Sequence, residues 1–301
     1  MRRLLTGLSV IFLLLFNTLI LIGPLLLIAL GKFVLPGKAL KTASSRGVMW
    51  VAETWAEINK LIFAALLPVR WDIRGSADLR PSTSYLVISN HQSWVDIPAL
   101  VQAFNRKTPY FKFFLKQELI WVPFLGLAFW ALDYPFMKRY SKAFLAKHPH
   151  MQGKDLEITK QACEKFKDLP VTVVNYLEGT RFTPAKQAQQ GSPFQYLLKP
   201  KAGGVAFVLA ALGEQLDTVL DVTLVYPGAR IPGFWALISG QVDKVIVDIQ
   251  TRELDPALWQ GDYENDPNFR QFVQNWVNTL WEDKDARIAQ IRAELSTPTH
   301  S

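Results

Sequence analysis

The sequence predicts an α/β fold: a largely parallel central sheet flanked by helices, with an apolar N-terminal membrane-anchoring helical segment in front. Three observations carry this. Residues 4–31 contain no charged side chain. From residue 71 onwards, short apolar runs alternate with stretches of helical period, the pattern of α/β domains. Several of those runs are continuously apolar and β-branched, as strands covered on both faces are.

The elements follow in chain order. LLTGLSVIFLLLFNTLILIGPLLLIALG, residues 4–31, exceeds the roughly 20 apolar residues a spanning helix needs and the roughly 7–15 of a signal-peptide core, so an anchor is favoured. Gly23-Pro24 marks a point where it could kink or turn back as a re-entrant hairpin. Arg2 and Arg3 precede the run, and Lys32, Lys38, Lys41 and Arg46 follow it, which leans towards a body on the cytoplasmic side. Residues 1–46 therefore read as anchor and basic flank. WVAETWAEINKLIFAALLP, 50–68, mixes tryptophans and aliphatics with Glu53, Glu57 and Lys60. Residues 47–70 read as an amphipathic interfacial helix or a helix packed on the body.

The body is 71–301. Its strand candidates are 71–75, 84–89, 108–115, 171–177, 217–227 and 243–254, and its helix candidates 93–104, 154–168, 203–213 and 266–294. Asp266 and Pro267 suit the start of the last helix, and Phe269, Val273, Trp276 and Leu280 mark its apolar face. LIWVPFLGLAFWAL, 119–132, carries no charge but is interrupted by Pro123 and Gly126, and reads as a buried or membrane-dipping segment. FTPAKQAQQGSPFQ, 182–195, reads as an exposed loop.

Composition narrows the chemistry. Half of the 301 residues are apolar, enough for a sizeable core. Cys163 is the only cysteine, which excludes an internal disulfide and any CxxC site. None of the four histidines has a partner at HExxH-like spacing, so no metal is expected. The net charge of +7 is uneven: residues 101–150 carry eight Lys/Arg against two Asp/Glu, and 251–301 carry five against nine. The basic side points to an anionic partner. No nucleic-acid-binding motif accompanies it.

Two polar clusters end candidate strands. In NHQSWVDIPAL, 90–100, His91 follows a buried-looking strand and Asp96 comes five residues later. Ser93 and Asp96 match a capping box in outline. With His91 in the loop and Asp96 in the first helical turn, the carboxylate can also hold one ring nitrogen protonated and leave the other as a base. In NYLEGTRF, 175–182, a strand runs into Glu178-Gly179-Thr180-Arg181, where glycine permits a sharp turn and arginine suits phosphate. An ordinary surface turn reads the same way. Basic side chains gather at Lys116, at Lys138-Arg139, and at Lys199 and Lys201 before a helix start that could itself bind an anion.

NHQSWVD, FLKQELIWVPFLG, PFMKR and YLEGTRF occur in an order and spacing that resemble the conserved blocks of the lysophosphatidic acid acyltransferase (PlsC-like) family, including its H-x4-D and E-G-T-R motifs. The run from LKQEL through ALDYPFMKRYSK, with KPKAGG after it, resembles a bacterial inner-membrane branch of that family. The likeness covers about residues 70–230. It implies acyl transfer from acyl-CoA or acyl carrier protein, as co-substrate and with no cofactor, to a lysophospholipid hydroxyl at the membrane bilayer, with the catalytic domain facing the cytoplasm. By resemblance His91 is the general base and Asp96 its support. Arg139, Glu178, Gly179, Thr180 and Arg181 bind the acceptor, 1-acyl-glycerol-3-phosphate or another lysophospholipid such as lysophosphatidylglycerol. Lys116 is added for phosphate or oxyanion charge. The chain departs from the pattern at Phe136-Met137-Lys138-Arg139, where F-I-x-R is usual, and at Tyr226, which precedes Pro227 where an aliphatic residue is common. Two other readings compete: a Ser-His-Asp membrane hydrolase, for which no G-x-S-x-G elbow exists, and a non-catalytic lipid-binding protein.

Overall fold

A computed structural model describes residues 1–34, 36–75, 78–122, 124–137, 157, 161, 163, 169–228 and 230–296. In chain order these hold α1 (Arg2–Val34), α2 (Lys38–Leu66), β1 (Arg70–Arg74), β2 (Tyr85–Ser89), α3 (Asp96–Phe104), β3 (Phe111–Phe113), β4 (Leu115–Lys116), a 3-10 turn (Gln117–Trp121), α4 (Leu125–Ala131), β5 (Phe136–Met137), β6 (Thr172–Tyr176), α5 (Pro184–Gln190), α6 (Ala202–Leu212), β7 (Thr218–Val225), α7 (Phe234–Ile238), β8 (Lys244–Arg252) and α8 (Pro267–Ser296).

Six strands form one sheet in the order β1-β8-β7-β2-β6-β3. Every pairing is parallel except β7 with β8. β4 and β5 make a separate two-stranded ribbon. The continuous apolar runs have the expected cause. Leu86 and Ile88 of β2 face a core shared with α6 and α8, while Tyr85 and Val87 face one shared with α3 and α2. With helices on both faces, each side chain of the strand needs to be apolar. β2, β6 and β7 run in the same direction, with Ser89 opposite both Tyr176 and Val222. Their C-terminal ends therefore open onto one edge, where open α/β sheets bind ligands.

α1 and α2 form an antiparallel hairpin. Asn17 Nδ2 donates to Trp55 O (3.0 Å) and to Asn59 Oδ1 (2.8 Å), and Trp55 Nε1 donates to Thr18 Oγ1 (3.0 Å). The reversal falls next to Gly37; α1 continues through Gly23-Pro24, so of the two possibilities there the re-entrant turn does not form. α2 starts at Lys38, which places the boundary drawn at 46/47 inside a helix. α1 also meets the body at both ends. Gly7 lies under the Trp235 ring, and Lys32 Nζ donates to Asp133 Oδ2 (2.6 Å) and Ala131 O (2.8 Å). A helix of 33 residues is about 50 Å long. It touches the body near both ends and is long and apolar enough to cross a membrane.

Three further expectations change. Residues 182–195 are not loop throughout: Thr183 Oγ1 accepts from Lys186 N (3.2 Å), Pro184 takes the first turn, and Gly191 closes α5 in the left-handed region. The 108–115 run breaks into β3 and β4. Of the two readings of 119–132, burial holds among its described side chains only near the end, at Ala131 and Leu132. Trp121 is 84% exposed, and Phe124, Leu127 and Trp130 also face outwards. That turn is tight, because a Cβ at Gly126 would stand 2.0 Å from the Ile120 carbonyl oxygen. The helix expected at 154–168 lies outside the described residues except for Glu157, Gln161 and Cys163.

α8 starts as expected, with Asp266 Oδ1 accepting from Asn268 N (2.8 Å). Its buried face includes Val273, Val277, Leu280, Trp281, Ile288 and, unexpectedly, Lys284. Lys284 Nζ donates to the Asp221 carboxylate, to Val222 O (2.6 Å) and to Thr223 Oγ1 (3.4 Å), fastening α8 to β7. Arg252 Nε holds the other Asp221 oxygen at 3.0 Å. Removing one partner of a buried pair leaves the other charge uncompensated. Lys284→Met is expected to lower the unfolding free energy by about 3–5 kcal/mol, read as the shift in denaturant midpoint of the detergent-solubilised protein.

Candidate active site

The site is assembled by three loops at the C-terminal edge of the sheet. Asn90 extends β2 by exchanging two bonds with Leu224 of β7: Nδ2 donates to its carbonyl (2.9 Å) and Oδ1 accepts from its N–H (2.8 Å). The carbonyl of His91 then accepts from Phe182 N at 2.7 Å, which ties the loop after β2 to the loop after β6. These links fix His91 before its side chain makes any contact.

His91 Nδ1 lies 2.7 Å from Asp96 Oδ2. The same oxygen accepts from Gln92 N (2.7 Å) and Ser93 N (3.0 Å), and Tyr226 O–H donates to the other oxygen, Oδ1. Asp96 is fully buried, while the His91 side chain is 19% exposed. A carboxylate that only accepts sets the tautomer: Nδ1 carries the proton and Nε2 presents its lone pair. Among the described residues nothing hydrogen-bonds to Nε2. The imidazole also stacks on Tyr176, centroids 4.1 Å apart. Asp96 holds the start of α3 and the histidine together. The pairing forms on this carboxylate, whereas only half of the capping box does: Ser93 N donates to Asp96, but α3 itself has no side-chain cap bond. Ser93 is committed elsewhere: its Oγ accepts from Val95 N (3.0 Å) and donates to Pro232 O, so it does not complete a Ser-His-Asp array.

The turn after β6 splits into a buried part and an exposed part. Gly179 adopts φ +66°, which only glycine takes without strain. Arg181 lies over the Trp94 ring, 4.7 Å from its centroid, and Lys186 Nζ donates to Thr180 Oγ1 (2.7 Å) and Arg181 O (3.0 Å). Lys201 Nζ stands 3.9 Å from where a Gly179 Cβ would be. Gly179, Thr180 and Arg181 thus sit in a basic rim with Lys186 and Lys201. Glu178 does not join it. Its side chain is fully buried and neither oxygen has a hydrogen-bond partner. Burial pushes its carboxyl up to about 8, tempered by the nearby peptide N–H groups of Leu198 and His91. Glu178, expected among the acceptor-binding residues, lies beneath the turn, where burial favours the protonated carboxyl at neutral pH. Lys116 ends β4 opposite Met137, and its side chain lies outside what is described, as Arg139 does entirely.

An apolar groove of about 470 Å³ runs from Trp94 between α1, α2, α3 and α7, lined by Leu14, Trp55, Phe63, Trp94, Ile97 and Val101 among others. Trp94 lies between His91 and Asp96 in sequence, and Ile97 follows Asp96. The site thus joins a base, a basic rim and an apolar slot. Sequence reasoning missed Lys186, Tyr176 and Tyr226 as parts of it. For Tyr226 a signal existed: a phenol directly after a buried strand, where an aliphatic is common, needs a polar partner.

Residues 70–227 match the family described as Acyltransferase. The chain is similar to human (Homo sapiens) 1-acyl-sn-glycerol-3-phosphate acyltransferase gamma, 25% identical over 185 residues, which is 58% of this chain and 44% of that protein. It is also similar to Lysocardiolipin acyltransferase 1 of Mus musculus, 25% identical over 249 residues, 78% of this chain and 61% of that protein. The chain thus spans less than two thirds of the length of either. The crystal structure of the 1-acyl-sn-glycerophosphate acyltransferase PlsC from Thermotoga maritima shares the fold, with a TM-score of 0.51 and 20% identity over 93% of this chain and 98% of that one.

Glu178 gives a pH signature. Its folded-state value near 8 stands above the ordinary 4.5, so the native state binds the extra proton between those values. Stability from this group is full at low pH and falls as pH rises through about 8. Thermal melting of Glu178→Gln between pH 5 and pH 9 is expected to decline less steeply with pH than that of wild type, whatever the offset between the two curves.

Proposed function

The chain belongs to the Acyltransferase family, and from that premise we propose that it moves a fatty acyl chain from acyl-CoA or acyl carrier protein to the free hydroxyl of a lysophospholipid, with 1-acyl-glycerol-3-phosphate as acceptor and phosphatidic acid as product. The observation that carries this is the His91–Asp96 pair, with Nε2 free, set between a basic rim and an apolar groove. A lysophospholipid has the matching parts: a hydroxyl, a phosphate and a hydrocarbon chain.

His91 Nε2 takes the proton of the acceptor hydroxyl as its oxygen attacks the thioester carbonyl carbon. The new C–O bond forms, the C–S bond breaks, and the imidazolium returns the proton to the leaving thiolate. Asp96 holds Nδ1–H throughout and balances the positive charge that develops on the ring. No acyl-enzyme intermediate is needed. Arg181, with Thr180 and the backbone at Gly179, receives the acceptor phosphate as a charge-assisted contact. Arg139 is assigned to the same phosphate, as the family resemblance suggests, and Lys116 is added for the phosphate or the developing oxyanion. Glu178 supports the turn from below. The acyl chain lies in the groove beginning at Trp94. The match to lysocardiolipin acyltransferase 1 over more of the chain favours a bulkier lysophospholipid as second reading, and a panel of acceptors separates the two.

With labelled acyl-CoA and lysophosphatidic acid, His91→Ala is expected to lose about 10²–10⁴-fold in kcat while retaining its circular dichroism. A folded His91→Ala protein working at the wild-type rate would sink the assignment.

The protein works at a membrane in this reading, the bacterial inner membrane with the body on the cytoplasmic side. Support comes from the apolar surface of α1, whose most apolar 18-residue window has a mean hydropathy of 2.7, with Phe12, Leu19 and Leu27 exposed, and from the exposed turn around Trp121. Because α1 is held against the body at both ends, it is assigned to lie in the interface. Replacing Phe12, Leu19 and Leu27 together by Asp is expected to reduce co-sedimentation with phosphatidylethanolamine–phosphatidylglycerol vesicles about tenfold or more, leaving the melting transition of the body in place. Unchanged sedimentation would rule this face out as the contact.

A further inference from the structure

Asp96 is held by one contact that lies outside the H-x4-D and E-G-T-R motifs. Tyr226 follows β7, 130 residues from Asp96 in sequence, and is 1% exposed. Its O–H reaches Asp96 Oδ1, the oxygen that the histidine loop leaves untouched. His91 Nδ1, Gln92 N and Ser93 N all converge on Oδ2. Three donors on one oxygen and a phenol on the other leave the carboxylate one orientation.

We propose that Tyr226 is a positioning residue for acyl transfer: its hydroxyl fixes the plane of the Asp96 carboxylate, so that Oδ2 stays in line with His91 Nδ1 and His91 Nε2 stays aimed at the acceptor. This rests on the acyltransferase reading. Without the phenol, Oδ1 is a buried anionic oxygen with no donor. The carboxylate then gains by turning about its terminal torsion, which is broad and roughly two-fold, to share its oxygens among the donors of the loop. The Nδ1–H bond lengthens or swings as it does so. Proton transfer at Nε2 is sensitive to that, because the ring pivots on this bond.

No neighbour replaces the phenol. Tyr176 lies under the imidazole with its O–H buried and unbonded, and Glu178 is a neutral acid beneath the next turn. Arg181 lies over the Trp94 ring at the exposed rim. Tyr226 itself stays a donor at any working pH, since burial and the Asp96 charge beside it hold its phenol well above the ordinary value. Phenylalanine would fill the same core volume. The hydroxyl is therefore the part that packing does not explain, and it stands where the family pattern has an aliphatic side chain.

The test is a two-by-two cycle in the full-length protein in detergent: wild type, Tyr226→Phe, Asp96→Ala and the double variant, with acyl-CoA and lysophosphatidic acid. Tyr226→Phe is expected to lower kcat roughly ten- to a hundredfold while the KM of both substrates stays within about twofold. In the Asp96→Ala background, where the acceptor is gone, the same change is expected to leave kcat within about twofold. Equal losses in both backgrounds overturn the proposal, as does a rise in KM at unchanged kcat. The melting temperatures of the four proteins give a readout independent of turnover. A wild type that transfers nothing to any acceptor sinks the acyl-transfer reading alone. In that case non-additive melting still supports a Tyr226–Asp96 clamp, and additive melting overturns it.

Discussion

The Asp96 carboxylate has none of its surface exposed, and a buried charge persists only when donors saturate it. Here the donors come from three directions: the imidazole, two consecutive peptide N–H groups of the loop after β2, and the phenol that follows β7. Each of these groups is also structural. The peptide groups hold the loop before α3, the phenol closes the end of the sheet, and the imidazole is fixed by its stack on Tyr176 at the end of β6. Through one carboxylate the ends of all three central strands are tied together.

That arrangement depends on the strand directions. β2, β6 and β7 are parallel neighbours, so their C-terminal loops emerge side by side. The bonds of Asn90 to Leu224 and of Phe182 N to His91 O then work as short extensions of the ladder. An antiparallel partner on either side of β2 would carry one of those loops to the opposite end of the sheet. Antiparallel pairing is confined to β7 with β8, which points β8 away from the site. Lys284 secures the far side of β7 by its bonds to Asp221 and Val222. The same strand therefore bears the buried ion pair on one face and leads into Tyr226 at its end.

The helical hairpin completes the site by adding an apolar wall. α1 and α2 join through Asn17, Thr18, Trp55 and Asn59, and the groove between the hairpin and α3 starts at Trp94, where Arg181 also rests. Charge and hydrocarbon surface thus meet within a few residues of His91. An amphiphile bound with its phosphate at the rim and its chain in the groove would present its glycerol hydroxyls between them.

Much of this was legible in the chain, and the parts that were not share a cause. The continuous apolar runs announced strands covered on both faces, and the alternation with helical stretches announced parallel pairing. His91 and Asp96 could be joined on paper because five residues of loop and first helical turn bring them together. Thr183-Pro184 and Gly191 carry a helix signal of the same local kind inside a stretch whose composition resembles a loop. Local pattern is blind to depth and to distant partners. Glu178 looked like a polar residue in a surface turn until the fold buried it. α1 reads as an apolar anchor from its sequence alone, and only the fold shows Trp235 and Asp133 packed against its two ends. Tyr226 looked like a departure from a pattern until β7 was seen to lie beside β2. By itself the sequence determined which segments are strands and helices, and which short motifs could hold a base, because those depend on periodicity and caps within a few residues. Only the tertiary structure decided which oxygen of Asp96 is filled, which carboxyl stays protonated and which lysine is buried, because those depend on the order in which distant strands are laid side by side.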